Sequence, residues 1–434
     1  MRRAQALAAK REAAAERLSR GDLPKGGAWI TAARENALER LHQMGLPARR
    51  DEYWRFTRPE ALIAAQAAPV PLMIDEDAPQ FGELDRLKLV FVDGVLNVAQ
   101  SDALAMENVE ITTLEQAATQ DIHWARDLFG VLESRGQAPV ERPLAALNTA
   151  TATQGLLIRV TGKAPRPISL TYLRADDAGD AVVHHVIRLE KGAELTLLES
   201  GPAAARLSKV IEVDVADGAS FDHIRTQGRD HGRRALTHLF ARIGAEASFK
   251  SFSLTVNGAL TRNEYVITLE GDDSHATVSG AVAGDGNDGA FHQDDTVFIT
   301  HAGERCESRQ VFKKVLRNGA TGVFQGKILV RQSAQKTDGY QISQALLLDE
   351  DSQFLAKPEL EIYADDVACS HGATVGAIDE DALFYMVSRG VPRRQAQDML
   401  VLAFLSEALD EIDNEAIRDD IQTRLELWVE RHSA

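Results

Sequence analysis

The chain has 434 residues, 44% of them hydrophobic and 26% charged, a composition typical of a globular protein with a large buried core. Its formal net charge of −17 argues against a nucleic-acid surface, because phosphate binding requires clustered Lys and Arg side chains. No run approaches about 20 consecutive apolar residues, which argues against a membrane span, and the two cysteines indicate a reducing compartment, so we expect the cytoplasm.

Residues 1–150 predict an accessory domain of mixed helices and strands. Residues 2–20 are rich in alanine and favour a surface helix over a targeting peptide. Apolar residues recur at helical spacing over residues 32–44, and Gly45 after the last of them predicts the end of a second helix. The aromatic residues within 53–56 are interpreted as packing residues.

A β-hairpin and further helices complete this region. Residues 87–98 predict two strands about a turn at Asp93 and Gly94, and residues 114–147 predict mainly helix. The function of the region cannot be predicted from these patterns.

A repeat of 26 residues characterises part of the region 151–376. Short runs of Val, Ile and Leu alternate there with Gly, Asp and Asn, and similar tetrapeptides begin at Gly192, Gly218 and Gly244. A period in the twenties, with one turn and several short strands per unit, predicts a β-solenoid, in which each coil buries its apolar face against its neighbours. The predicted fold class is therefore mainly β, with a solenoid core over residues 151–376.

Three patterns in this core invite a functional interpretation, and we interpret each as structural. Residues 284–289 lack the Glu that a calcium loop needs at its twelfth position, which favours a turn. Residues 319–328 resemble a phosphate-binding loop, but Thr321 and Ile328 replace its first Gly and its Ser or Thr, so we expect no ATP hydrolysis. Scattered histidines without metal-ligand spacing are expected to be core or solvated residues: His184, His185, His223, His231, His238, His275, His292 and His301.

Cys369 and His371 form the candidate metal site. They are two residues apart, so on a strand their side chains leave the same face, and Asp365 and Asp366 lie just upstream. A thiolate and an imidazole can bind a thiophilic metal such as iron or zinc. An iron–sulfur cluster usually takes four thiolates, sometimes with His replacing some, and the second cysteine, Cys306, is expected to be a buried structural thiol. Any cluster built here must therefore take ligands from another subunit.

Residues 377–434 predict a helical domain. Asp379 is the expected N-cap of a helix that ends at Gly390, and Pro392 opens a second helix with an apolar stripe. Apolar residues within 417–428 indicate a third helix.

The stretch from Pro358 to Gly376 resembles the SufB/SufD family of iron–sulfur cluster assembly scaffolds, on its SufD side. The matching motifs are PELEIYADDV and CSHGATVG, with further similarity in residues 262–265, 326–328 and 334–338 and a weaker match in residues 52–57. The resemblance implies a right-handed parallel β-helix that serves as a non-catalytic scaffold of the SufBCD complex. It also implies that His371 and Cys369 are iron or cluster ligands, and that the cluster is transient and shared with a SufB-like partner rather than held tightly by the isolated chain.

The resemblance further implies that the C-terminal helices dock an ATPase subunit, SufC, whose ATP-driven pairing shears the scaffold interface and exposes the cluster site. Aromatic and apolar residues of these helices are the expected contact, because such residues are enriched in interfaces: Leu383, Phe384, Met399 and Phe404.

The end of the solenoid, residues 328–362, is expected to pair with a homologous subunit, because a helical cap of some fifty residues covers only part of its unpaired strand groups. Without a SufB-like partner the same surface predicts a symmetric homodimer. Two alternative functions stay open. One is a homodimeric metal-binding protein. The other is a β-helix enzyme acting on carbohydrate through Asp365 and Asp366, which is disfavoured because adjacent side chains on a strand face opposite sides.

Overall fold

Two sheets of ten strands each share one apolar interior. The computed structural model describes residues 2–19, 23–73, 79–227, 230–287 and 289–432. From the fifth strand onward, consecutive strands alternate between the sheets and each pairs in parallel with the strand two positions later, so the chain winds as a solenoid. The predicted fold class, mainly β with a parallel solenoid core, is therefore confirmed.

The strands are β1 (Leu87–Val92), β2 (Val95–Leu96), β3 (Ala105–Met106), β4 (Val109–Thr113), β5 (Leu156–Val160), β6 (Ile168–Leu173), β7 (Asp180–Leu189), β8 (Glu194–Ser200), β9 (Arg206–Val215), β10 (Ser220–Gln227), β11 (Arg234–Ile243), β12 (Ser248–Val256), β13 (Leu260–Leu269), β14 (His275–Asp285), β15 (His292–His301), β16 (Glu307–Arg317), β17 (Thr321–Val330), β18 (Asp338–Leu347), β19 (Gln353–Ile362) and β20 (Ala368–Gly376). The first sheet has the order β2-β1-β6-β8-β10-β12-β14-β16-β18-β20, and the second has the order β19-β17-β15-β13-β11-β9-β7-β5-β4-β3.

The 26-residue repeat corresponds to one coil of the solenoid. Arg206 pairs in register with Asp180 on one side and with Arg234 on the other, so these two coils are 26 and 28 residues long. Later coils are longer, as the register of Thr261 with Gln293 shows. The period drifts because only the strands are constrained by stacking, whereas the turns between them tolerate insertions.

Alternation of side chains along each strand separates the interior from the outer faces. In β10, for example, Phe221 lies in the apolar interior, whereas Ile224 packs outward beneath the C-terminal helices. The outer face of the first sheet and that of the second are each covered by helices, which is why both faces of most strands are buried.

The helices are α1 (Arg2–Leu18), α2 (Ala28–Met44), α3 (Glu60–Ile63), α4 (Leu114–Ala118), α5 (Val131–Arg135), α6 (Pro143–Thr151), α7 (Glu380–Ser388), α8 (Arg393–Ser406) and α9 (Glu415–His432). Short 3₁₀ turns lie at Glu52–Trp54, Val98–Gln100, Trp124–Asp127 and Leu409–Glu411. In the part of the chain that is described, no helix is both long and apolar enough to cross a membrane.

The N-terminal region matches its sequence pattern. The predicted first helix is α1, although Arg20 lies outside the described residues, and α2 ends at Gly45, whose φ of 66° is the left-handed conformation that glycine tolerates. The hairpin is also confirmed: Asp93 and Gly94 both have positive φ angles, as a tight two-residue turn between antiparallel strands requires. The segment 114–147 holds α4, α5 and the start of α6, joined by irregular turns.

The strands of the solenoid begin before residue 151, because β1 pairs in parallel with β6 and β4 pairs with β5. Helices α3, α5 and α6 pack on the outer face of the second sheet, and α1 packs on α2.

The predicted helical cap at the end of the solenoid is wrong. Helices α8 and α9 lie instead along the outer face of the first sheet. Leu405 and Trp428 of these helices share a cluster with Phe252 and Val315 of the sheet. The apolar stripe of α8 contacts outward-pointing apolar residues of several successive strands of the first sheet. It therefore buries more apolar surface there than it would over the two strands at the end of the solenoid.

The three patterns interpreted as structural lie in turns, strands and the core. Asp285 accepts hydrogen bonds from Asn287 and Asn318 of neighbouring turns, while Asp288 lies outside the described residues. Residues 319–328 form a turn and then β17, and no helix follows to receive a phosphate. Five of the histidines are buried: His184, His185, His223, His238 and His301.

We expect the buried histidines to make the fold sensitive to acid. Burial lowers the pKa of His185 to about 3 and that of His238 and of His301 to about 4. An unfolded His titrates near about 6.5, so the unfolded chain binds more protons between these values and stability falls as the pH falls. At pH 5 each of these histidines lowers the free energy of unfolding by up to about 2 kcal/mol.

One buried carboxyl opposes this loss. Burial raises the pKa of Glu133 to about 7, so the folded chain takes up this proton first and gains stability as the pH falls through 7. Burial also raises the pKa of Asp222, but it lowers the pKa of His123, His223 and His292 as well. Because lowered histidine pKa values outnumber raised carboxyl pKa values, urea unfolding at pH 7 and pH 5 should show a net loss of stability. A higher midpoint at pH 5 would contradict this expectation.

Candidate metal centre

Among the described residues, no strand pairs with the outer edge of the last coil of the solenoid, formed by β19, β20 and the turn between them and here called the terminal coil. Strand β20 pairs only with β18, and β19 pairs only with β17, so each keeps a free edge. None of the residues in these two strands is buried. The opposite end of each sheet finishes in short antiparallel strands, β2 and β3. The unpaired backbone N–H and C=O groups along these two edges can form hydrogen bonds with a strand of another chain.

Cys369 and His371 both lie on the interior side of β20. Cys369 is in register with Gly339, where an added Cβ would lie 3.1 Å from the Cys369 sulfur, and it packs beside Ile328 and Val330. His371, two residues further, therefore projects to the same side. Burial raises the pKa of the half-buried Cys369 thiol. A bound metal would oppose this effect, because a coordinating thiol is deprotonated.

The His371 side chain is exposed and makes no hydrogen bond with the described residues. Asp365 and Asp366 are exposed in the turn of the terminal coil, where the Asp366 backbone bonds Gln335 and Lys336. Within the described ranges, no group of three His, Cys, Asp or Glu side chains is placed to hold a metal ion. The residues of this part of the chain thus offer a partial ligand set at the open end of the solenoid.

Cys306 belongs to the interior and not to this site. Its thiol is fully buried at a corner two coils earlier, within 3.3 Å of the Ser274 hydroxyl and 3.2 Å of the Gly271 carbonyl oxygen. The interpretation of Cys306 as a buried structural thiol agrees with this position.

The backbone of the terminal coil presents unused hydrogen-bonding groups. The Ala368 N–H donates to the Thr337 carbonyl oxygen, and successive residues of a strand direct their backbone groups to alternate sides. Consequently His371, Ala373 and Val375 direct N–H and C=O groups toward the open edge. In β19 the same alternation places Pro358 at an edge-facing position, where the missing N–H removes no bond to β17.

The N-terminal aromatic turn supports the terminal coil from outside. The Tyr53 hydroxyl donates to the Glu359 carboxylate at 2.6 Å, and Lys357 lies 4.2 Å from the centre of the Tyr53 ring and pairs with Glu52 at 2.8 Å. Tyr53 and Trp54 are buried, which confirms the interpretation of the aromatic patch as packing residues.

The four residues expected to contact an ATPase are not equivalent in the structure. Leu383 is the buried residue of α7, so its side chain stabilises the helical domain and is not accessible. Phe404 is half-buried, with the Lys313 ammonium 4.7 Å from its ring centre. Phe384 and Met399 are 74% and 49% exposed. Tyr385 and Val387 are also exposed, and helical spacing alone did not separate them from buried neighbours.

Sequence reasoning missed a set of polar side chains inside the solenoid. Glu199 is fully buried and accepts hydrogen bonds from Tyr172, Lys209 and His223. Nearer the terminal coil, buried Gln341 donates to Gln310 at 2.7 Å. The sequence does carry one indication of them. Each lies at a strand position that, by alternation, belongs to the interior face.

Comparison with known proteins finds relatives that match most of this chain. Residues 172–404 match the family model described as "SUF system FeS cluster assembly, SufBD core domain". The iron–sulfur cluster assembly protein SufD of Escherichia coli is 29% identical over 402 residues, which cover 89% of this chain and 90% of that protein. SufD of Bacillus subtilis is 23% identical over 422 residues, 92% of this chain and 94% of that protein. A SufBD family protein of Synechocystis is 26% identical over 401 residues, 87% of this chain and 86% of that protein.

Proposed function

Because this chain belongs to the SufBD family of the SUF iron–sulfur cluster assembly system, we propose that it is a non-catalytic scaffold subunit on which a nascent cluster is held between two chains. The observation that supports this most is the uncovered terminal coil, which carries Cys369 and His371 beside a free backbone edge. The cluster is cargo of this scaffold and is not a resident cofactor.

A shared site follows from the ligands that the terminal coil offers. Two donors on one strand leave a four-ligand cluster or a tetrahedral metal incomplete. Their side chains project from the last strand of the solenoid, so further ligands have to come from a chain that approaches the open edge. A SufB-like subunit with the same fold can do so, because its own last strands would meet these in a pseudo-symmetric arrangement.

The partner is proposed to bind by extending the sheets. Ile362 and Val375, 39% and 54% exposed, lie beside the free edge and would be covered by added strands. Backbone hydrogen bonds supply affinity in this mode of recognition, and side chains such as these supply specificity. In the absence of a SufB-like subunit, a second copy of this chain can use the same edge.

Ala373→Pro is expected to abolish this pairing without unfolding the solenoid. The Ala373 N–H is directed to the open edge, so proline removes a donor that the partner needs and no bond to β18. In sedimentation and co-purification, wild type should associate with a SufB-like subunit or with itself, and Ala373→Pro should not. Val98→Pro, an exposed change far from the edge, is the control. Undiminished association of Ala373→Pro would place the interface elsewhere.

Coupling to an ATPase is proposed through the exposed apolar patch of the C-terminal helices, defined by Phe384, Tyr385, Val387 and Met399. Affinity purification of the tagged chain from cells that express the SUF proteins tests the proposed function as a whole. We expect an ATPase subunit and a SufB-like chain in the purified complex. A chain that purifies alone under these conditions, with its own tightly bound metal, would favour the self-sufficient metal-binding alternative.

A further inference from the structure

Directly beneath His371 the solenoid contains three buried polar side chains, here called the polar floor: Gln310, Gln341 and Ser343. All three are fully buried, and they belong to the interior faces of β16 and β18. Other coils also bury polar side chains, and several of these form ion pairs or hydrogen bonds with one another, as Lys314 does with Asp295. The polar floor differs because its three members are uncharged.

The polar floor and His371 form one ladder across three neighbouring strands. His371 is in register with Gln341, and Gln341 is in register with Gln310. Neighbouring parallel strands lie about 4.8 Å apart, and side chains at matching positions project side by side. The amide of Gln341 is therefore the nearest interior side chain to the His371 ring along the ladder.

The hydrogen bonding of the polar floor is incomplete, because each of its three side chains keeps one buried polar atom without a partner among the described residues. The Gln341 Nε2 donates to Gln310 Oε1, which leaves Gln341 Oε1 as a buried acceptor without a partner in the described structure. A buried polar atom without a partner lowers stability by about 1–3 kcal/mol, so a hydrogen-bond donor gained in the working state would stabilise this acceptor.

Gly326 on the opposite sheet makes room for this arrangement. A Cβ at position 326 would lie 1.9 Å from Gln341 Nε2, so only glycine leaves space for the Gln341 amide to lie in the ladder. Gln341 is thus confined between Gly326 and Gln310, which favours a fixed orientation of its amide.

We propose that Gln341 is a positioning residue for His371: its side-chain carbonyl accepts the N–H of the imidazole nitrogen that does not face the metal. This inference rests on the ligand role proposed for His371. A ligating His commonly donates its second ring nitrogen to such an acceptor, which sets the tautomer and the ring orientation. The exposed ring of His371 needs such a restraint, because no described side chain bonds it.

The tautomer of His371 in the full-length chain tests this proposal without requiring cluster assembly. In ¹⁵N NMR spectra recorded at a pH at which imidazole is neutral, wild type should show one dominant His371 tautomer.

Gln341→Met keeps the length of the side chain but removes the acceptor, and it should give the tautomer mixture of a solvated imidazole. Gln341→Glu restores an acceptor and should restore the wild-type tautomer. Gln344→Met, the same change on the outer face of β18, is the matched control.

In the assembled complex, Gln341→Met should weaken iron binding roughly 10- to 100-fold, the usual effect of losing a residue that orients a ligating His. An identical His371 tautomer in wild type and Gln341→Met would overturn the proposal. A different experiment shows whether the proposed function itself fails. In that case His371→Ala would leave assembly intact, whatever the tautomer measurement shows.

Discussion

Replacement of His371 by Ala is expected to abolish cluster assembly while the free energy of unfolding stays within about 0.5 kcal/mol of wild type. The imidazole is exposed at the last strand and bonds no described side chain, so its removal leaves no cavity and breaks no hydrogen bond of the described structure. Its loss would, however, remove one of the two metal donors of the terminal coil. Absorbance of the reconstituted cluster and urea unfolding measure the two effects.

Two further variants make this result specific. Ser370→Ala changes the neighbouring residue, which points to the opposite side of β20, and should support normal assembly. Cys369→Ser should be milder than His371→Ala. Complete complementation of a deletion strain by His371→Ala would show that His371 is not a ligand, and a stability loss of about 1–3 kcal/mol would indicate a structural role instead.

Replacement of Phe384 by Asp is expected to weaken ATPase binding at least about 30-fold, the effect of losing an interface hot spot worth roughly 2 kcal/mol. Phe384 is 74% exposed, so a charge there disturbs no internal packing but would be buried in the proposed interface. Binding of the purified ATPase, measured by calorimetry, reports the effect. Val98→Asp, equally exposed on the N-terminal side, should bind like wild type. If Phe384→Asp bound the ATPase as tightly as wild type does, the docking surface would have to lie away from α7.

Point variants are needed to test the ATPase contact, because a truncation of the C-terminal helices would also disturb the solenoid. Removal of residues 379–434 would expose the apolar outer face of the first sheet, including Phe252, Leu254 and Val315, to water. Each buried side chain of this size contributes about 1.5–3 kcal/mol through burial. We therefore expect this deletion to destabilise the solenoid as well as to remove the proposed ATPase contact.

The sequence predicted the solenoid because the strands are constrained by stacking. Gly192 and Gly218 recur at turns with positive φ angles, and the strands between such turns alternate in a regular way. The surface on which the C-terminal helices pack could not be predicted from the sequence. An apolar stripe on α8 shows that something must cover it, but the stripe does not distinguish the end of a solenoid from its flank.

The candidate site was predictable only in part. Cys369 and His371 were identified from their spacing and from the motif around them. Gln341 was not, because it lies about 30 residues earlier in the chain and meets His371 only through strand register. Leu383 and Phe384 show the same limit on a helix: adjacent apolar residues look alike in sequence, and only packing buries the first and exposes the second.

The most direct test of the central claim is a hyperfine measurement on the cluster itself. The complex is assembled with this chain ¹⁵N-labelled at histidine and all other subunits unlabelled, and the reduced cluster is studied by pulsed electron–nuclear double resonance. We expect a strong ¹⁵N coupling from a directly bound imidazole, and we expect it to be absent in the His371→Ala complex. A cluster that forms without any ¹⁵N coupling from this chain would contradict the claim that His371 is a ligand.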